Sequence, residues 1–448
     1  MSLSAPQLTA INQALAHLEP IADPQQIKRL SLDYYHFSPI LTAQLADKRA
    51  DRVIRPRSEA DVIQVAQVCA RERIPLTVRG AGTGNYGQCI PLEGGVVLDL
   101  SLMNQVRWIK PGLACVEPGV KLAALDKQAR PQGWEIRMYP STYRTATIGG
   151  FIGGGSCGLG SVTYGLLNER GNLNAVRVVT LEDDPQVLEL RGDAVQQINH
   201  AYGTNGIITQ LEIPLAPVYA WAELIVTFDD FMTAVRFGQR LGDAAGIMKK
   251  LVSIMAPPTT RYFTSLKDVI PEGQTAALLM IAESSLEPFQ ELVRECGGTV
   301  TYQKTAAEAS KGTTLGEFTW NHTTLHARTV NPNLTYLQVF YWSCDRVEQL
   351  YQYFGAELEF HLEFLRVGDR VIPAGLPLVH YSSAERLNEI IDYHNAQGAS
   401  IANPHDYTIE GGGDGHENPK QLAFKRRVDP YGLMNPGKMR AWSNATQA

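Results

Sequence analysis

The sequence predicts an α+β protein made of two successive units. Three observations carry this. Short apolar strands and amphipathic helices alternate along all 448 residues. Glycines concentrate in two places, residues 80–87 and 149–165. Beyond Pro214 and Pro217 the pattern changes to strands followed by longer helices, as far as Tyr393.

Taken in order, residues 5–35 show Leu8, Ile11, Ala14, Leu15 and Leu18 at helical spacing. Residues 51–56 read as a strand ending at Pro56, and Ser58 then caps a helix with the stripe Val62, Val65, Ala66 and Cys69. Strands are expected at 74–78, 96–100, 114–118, 176–181 and 207–213, with a helix at 122–130. In the second unit, 223–228 and 276–283 read as strands, and 231–242 and 287–296 as the helices that follow them. Residues 421–427 form a last helix, closed by the turn Asp429-Pro430-Tyr431-Gly432.

Composition narrows the function. A net charge of -6 and the lack of a long basic stripe argue against a nucleic-acid binder. The run Lys425-Arg426-Arg427 reads as a solvated helix face. No apolar run reaches membrane-spanning length, and residues 1–30 lack a basic start followed by an apolar stretch. The six cysteines, Cys69, Cys89, Cys115, Cys157, Cys296 and Cys344, form no CxxC pair, which fits free thiols in a reducing compartment. The expected location is the cytoplasm.

The first glycine segment runs Arg79-Gly80-Ala81-Gly82-Thr83-Gly84-Asn85-Tyr86-Gly87. Gly82, Gly84 and Gly87 satisfy GxGxxG, but a strand follows them where the dinucleotide fingerprint needs a helix, so the Rossmann reading fails. Bare amides can still converge on an anion here as a phosphate nest, with Thr83 and Asn85 adding donors. The second segment follows Tyr139-Pro140-Ser141 and holds eight glycines between Gly149 and Gly165. Interleaved Ile148, Phe151, Ile152 and Leu159 imply burial, so a flat ring with polar edges lying against bare backbone would fit.

In this order the two segments resemble the FAD-linked oxidases of the vanillyl-alcohol oxidase (PCMH-type) superfamily. Two further stretches match, Tyr202-Gly203-Thr204-Asn205-Gly206-Ile207 and Asp429-Pro430-Tyr431-Gly432-Leu433-Met434-Asn435-Pro436-Gly437-Lys438. The resemblance implies a two-subdomain FAD-binding domain over residues 1–217, its core at 46–217. It also implies an α+β substrate (cap) domain with an antiparallel sheet at 218–410, and a segment at 411–448 that returns to the FAD domain. Carried over by motif, the FAD contacts are Arg79, Gly80, Ala81, Gly82, Thr83, Gly84, Asn85, Gly87, Pro140, Ser141, Thr147, Gly149, Gly150, Gly153, Gly154, Gly206, Ile207, Asn435 and Lys438. Where relatives tether the flavin through His or Cys, this chain has Thr83 and Tyr143, so non-covalent FAD is expected.

The ending resembles the bacterial glycolate/D-lactate dehydrogenase branch, which oxidises 2-hydroxy acids. A histidine of that branch is missing, however: Glu410 is followed by Gly411, and no metal ligand set is assigned. Oxidation of an alcohol needs a base for the hydroxyl proton. His405 is the first candidate, in a segment read as extended with Glu410 on its opposite face. His322, read on a strand, is the second, and Tyr336 and Gln338 share a strand face nearby. His416 and His326 are further histidines in reach, and Arg328, Arg366 or Lys438 could hold a substrate carboxylate. The expected partners are a small-molecule substrate and an electron-acceptor protein or quinone. A sugar or lactone oxidase, and a flavin electron-transfer subunit without its own substrate, are the competing readings.

Overall fold

Ser58 accepts the amide of Asp61 through Oγ, and the Asp61 carboxylate accepts the amide of Ser58, so helix Glu59–Arg71 opens on a capping box. Its buried stripe Val62, Val65, Ala66 and Cys69 packs on Leu76, Val96 and Leu98. These belong to a sheet of three parallel strands, ordered Arg52–Ile54, Val96–Asp99, Leu76–Arg79. Parallel strands need crossovers, and helix Glu59–Arg71 supplies one. The computed structural model describes residues 2–155 and 157–447; Ser156 of the second glycine segment lies outside them.

A second sheet is antiparallel. Its strands run Val106–Lys110, Leu113–Val116, Ile207–Pro217, Ala175–Val179 and Val187–Arg191, with Trp134–Ile136 also on Ile207–Pro217. Helix Leu122–Ala129 and the residues Ile148, Phe151 and Ile152 bury against it.

The third sheet has eight antiparallel strands, ordered Thr299–Lys304, Trp221–Phe228, Thr275–Ala282, Lys249–Met255, His361–Val367, Arg370–Gly375, Val339–Phe340, Ser400–Ile401. Trp221–Phe228 and Thr275–Ala282 are buried at every position, because both faces of the sheet are covered. One face carries helices Phe231–Asp243, Leu286–Glu295, Cys344–Phe354 and Ala384–Ala396, and the other meets Phe263, Leu266 and Ile270. Helix Phe231–Asp243 sits so close that a Cβ at Gly238 would stand 2.4 Å from the Phe364 ring. Lys250 and Glu135 pair at 2.9 Å with almost no exposure, tying this sheet to strand Trp134–Ile136.

Four local expectations are corrected. Residues Ile148–Gly154 are a helix and not an open loop, because Thr147 accepts the Gly150 amide as N-cap and Gly155 closes the end at φ +66°. Asn321–Val330 is also a helix, so His322 and His326 share a face where a strand reading paired His322 with Thr324. Residues 403–410 form turns, with Asp406 accepting from Thr408, and are not extended. Lys425 is buried with Asp429 while Arg426 and Arg427 stay exposed, so the basic run is not one solvated face.

Candidate functional site

Arg79 ends its strand and turns its guanidinium back under the first glycine segment, donating to the carbonyls of Leu32 and Ala81. A Cβ at Gly82 would fall 2.1 Å from that guanidinium, and Gly82 sits at φ +66°, so a side chain here would be strained and would displace Arg79. Among the described residues, the amides of Ala81, Gly82, Thr83 and Asn85 donate to no backbone carbonyl. Amides left unpaired in a half-buried loop call for an external acceptor, and a phosphate anion is one such acceptor.

The two glycine segments meet: a Cβ at Gly80 would stand 2.1 Å from Thr147 Oγ1. Between and beyond them opens a cavity of about 1190 Å³. That exceeds the roughly 300–1,000 Å³ of an ordinary ligand pocket, enough for a cofactor with a substrate beside it. Gly153 lines it, and a Cβ built there meets no protein atom within 4 Å. The missing side chain thus leaves space that a ligand can fill.

Of the residues expected to touch the cofactor, Arg79, Gly80, Ala81, Gly82, Thr83, Gly84 and Asn85 line this cavity. So do Pro140, Ser141, Thr147, Gly149, Gly150, Gly153, Gly154 and Gly206. Gly87 and Ile207 do not; Ile208 takes the lining place instead. Asn435 and Lys438 also stand behind the wall. Asn435 donates to the carbonyls of Gln88 (2.7 Å) and Tyr202 (2.6 Å), and Lys438 to Gly87 (2.6 Å), so they brace the first segment from outside. Burial lowers the Lys438 pKa, and Asp33 nearby opposes that shift.

The deciding comparison concerns this same region. Residues 50–190 match the family of the FAD binding domain. This stretch is an FAD binding domain. Its relatives include the glycolate oxidase subunit GlcD of Bacillus subtilis (strain 168), 26% identical over 258 residues, which are 55% of this chain and 53% of the relative. GlcD of Escherichia coli (strain K12) is 31% identical over 202 residues, 43% of this chain and 39% of the relative. D-2-hydroxyglutarate dehydrogenase of the same strain is 38% identical over 140 residues, 30% and 13% of the two chains. The chain therefore spans about half or less of the length of these three relatives. Its fold is shared more completely. An alkyldihydroxyacetonephosphate synthase superposes with TM-score 0.74 at 16% identity, covering 98% of this chain and 86% of that one. The 4-ethylphenol oxidase from Gulosibacter chungangensis does so with TM-score 0.71 at 16% identity, covering 97% of each. The cofactor is FAD, and the resemblance to the PCMH-type FAD-linked oxidases stands.

The FAD binding domain supplies one side of the cavity and the eight-stranded unit the other. From the latter come Glu317, Asn321, His322, Gln338, Phe340 and Trp342. His322 Nδ1 lies 3.0 Å from Glu317 Oε2, and Arg144, from the FAD binding domain, lies 3.4 Å from Glu317 Oε1. The hydrogen bond from His322 holds the Glu317 carboxyl below its ordinary range, ahead of the opposing effect of burial. Gln338 lines the cavity and accepts the Tyr86 hydroxyl at 2.6 Å.

The other catalytic candidates fall elsewhere. His405 does not line the cavity; Nδ1 engages Ser38 Oγ at 2.7 Å and Nε2 the Tyr336 carbonyl at 3.0 Å. Burial lowers its pKa to about 4, so it is a neutral brace with both nitrogens occupied. Tyr336 is fully buried and also off the wall. Glu410 lines the cavity, but its carboxylate accepts the amides of Arg440 (3.0 Å) and Ala441 (2.9 Å). His326 stacks on Phe318, and His416 lines the cavity from an exposed turn. Arg328 donates to the carbonyls of Leu334 and His36, and Arg366 to Asp369, so neither faces a substrate. Among the described residues no group of three or more His, Cys, Asp or Glu could hold a metal ion.

Sequence reasoning missed Arg144, Glu317, Phe340 and Trp342. A signal for the last two was present, because Gln338, Phe340 and Trp342 alternate. Backbone strain also marks the wall. His200 (φ +54°), Tyr202 (φ +48°) and Trp342 (φ +67°) line it, and Trp320 (φ +53°) launches the helix carrying His322. Non-glycine residues held there cost on the order of 1–3 kcal/mol each, and such residues cluster at functional sites.

Proposed function

We propose that the protein oxidises the CH–OH group of a 2-hydroxy acid or related alcohol, with non-covalently held FAD as hydride acceptor. FAD supplies the two-electron acceptor chemistry; the chain supplies position and proton handling. The observation that carries the reading is the chain Arg144–Glu317–His322 across the cavity. With Nδ1–H given to Glu317, the imidazole offers Nε2 to take the substrate hydroxyl proton. Glu317 fixes the tautomer and stabilises the imidazolium that forms. Arg144, exposed at the same wall, is the cation available to a substrate carboxylate.

The names of the relatives support this substrate class, since they include glycolate oxidase subunits and a D-2-hydroxyglutarate dehydrogenase. Thr83 lines the cavity, and Tyr143 gives its hydroxyl to Asp126 at 2.9 Å, so neither matched position offers a tether. Electrons would leave to a protein or quinone acceptor. Among the described residues no two cysteines are joined in a disulfide, which suits a reducing compartment such as the cytoplasm. No helix among the described residues is long and apolar enough to cross a membrane.

Anaerobic mixing with 2-hydroxy acids tests the reading. The flavin band bleaches in the wild type, and His322→Gln slows bleaching by roughly 100-fold or more at unchanged FAD content. A histidine variant that reduces at the wild-type rate refutes the assigned base. Acid precipitation should release the yellow chromophore; retention in the pellet refutes non-covalent binding.

A further inference from the structure

We propose that Phe340 and Trp342 form an apolar ladder selecting 2-hydroxy acids with a large, aromatic side chain, over glycolate or lactate. The inference rests on the oxidation reading above and names its substrate class. Along 338–342 every second residue, Gln338, Phe340 and Trp342, reaches the cavity, while Val339 and Tyr341 enter the core with at most 1% exposure. The Phe340 and Trp342 rings lie 6.0 Å apart between centroids at 30°, a stacked pair. Both are only half-buried and line the cavity, and the Arg370 guanidinium lies 5.8 Å from the Trp342 ring centroid.

The ladder is held in place. Trp342 keeps φ +67°, and its indole N–H donates to Ser400 Oγ at 3.0 Å, so its polar edge is satisfied. Leu166 and Val367, which also line the cavity, pack against the same apolar cluster, and so does Trp320, two residues before His322. The ladder therefore shares its cavity with the proposed base. At the polar end, Arg79 and Arg144 are the Lys or Arg side chains on the wall, and Arg79 is committed to backbone carbonyls. That leaves Arg144 for a carboxylate. A two- or three-carbon acid would satisfy Arg144 and His322 yet leave the ladder in water. A planar aryl group would cover it.

Each turnover would move a hydride from the substrate carbon to FAD and the hydroxyl proton to His322, leaving a 2-oxo acid. One well-placed methylene is worth about 10–200-fold in such a pocket. An aryl group should therefore favour 3-phenyllactate over lactate by roughly 100-fold or more in kcat/KM. The test is anaerobic flavin reduction by glycolate, lactate and 3-phenyllactate, with phenylacetate and acetate titrated as unreactive ligands by flavin difference spectra. Wild-type protein should prefer 3-phenyllactate and bind phenylacetate over acetate. Phe340→Ala/Trp342→Ala should cut both preferences at least tenfold, and Trp342→Phe should keep most of them. Preference for lactate or glycolate, or preferences unchanged in the double variant, would overturn the ladder. If no hydroxy acid reduces the flavin while phenylacetate still binds and loses affinity in the double variant, the ladder stands and the oxidation reading fails.

Discussion

His405 was the first candidate base in the sequence, and the structure makes it a brace whose removal should show in stability. Its ring joins Ser38 Oγ at 2.7 Å to the Tyr336 carbonyl at 3.0 Å, and only 5% of the residue is exposed. Burial takes its pKa from the ordinary 6.5 to about 4. The folded protein thus holds the neutral ring, and the unfolded chain binds the extra proton between those values. Stability from this group is complete above pH 6.5 and is lost as the pH falls toward 4. At about 1.4 kcal/mol per pKa unit, the full loss is roughly 3 kcal/mol, of which roughly 2 kcal/mol has gone by pH 5. Gln at this position fills similar space and cannot titrate. Urea unfolding of wild type and His405→Gln at pH 7.5 and pH 5 measures the difference. The variant should be less stable at pH 7.5 by about 1–3 kcal/mol, from imperfectly replaced hydrogen bonds. It should lose roughly 2 kcal/mol less than wild type on going to pH 5. Flavin reduction at pH 7.5 should stay within a few-fold. A variant with wild-type pH dependence of stability and reduction slowed a hundredfold would refute the brace and restore His405 as the base.

Lys425→Met should destabilise the protein by about 3–5 kcal/mol, because Asp429 is left as a buried charge without its cation; thermal unfolding of the FAD-loaded protein checks this. The Lys425 ammonium also holds the Met434 carbonyl at 2.9 Å, so protease sensitivity near 429–438 should rise in the same variant. Glu317→Gln should slow flavin reduction by roughly 10–100-fold with FAD content unchanged, since it removes the negative charge that stabilises the imidazolium formed on His322; stopped-flow absorbance reads both quantities.

Elements with a local cause were legible. The Ser58 cap with its apolar stripe, and the strand–helix pair ending in helix Phe231–Asp243, needed only periodicity and capping chemistry. The glycine segments were legible as a binding surface for the same local reason, though Ile148–Gly154 proved helical. Glycine is a poor helix former, and only the Thr147 cap and the packing of Ile148, Phe151 and Ile152 decide the matter. Asn321–Val330, rich in Thr and His, has weak propensity of its own and is started by the Trp320 turn, whose amide is held by buried Glu363 at 2.8 Å. What failed was long-range. His405 meets Ser38 across 367 residues, and Lys425 is buried by a chain that folds back at Met434. The edge strands Val106–Lys110 and Val187–Arg191 were missed because their half-exposed patterns carry little apolar signal.

Binding of FAD by apoprotein carrying Gly153→Leu tests the central claim most directly. A Cβ there meets no protein atom within 4 Å and Gly153 lines the cavity, and leucine favours the helix over glycine by roughly 0.8–1 kcal/mol, so the fold should persist. Flavin fluorescence titration should show wild-type apoprotein taking up FAD and the variant binding at least 100-fold more weakly, with circular dichroism unchanged. Equal affinity in the two proteins, or no uptake by the wild type, would contradict the account.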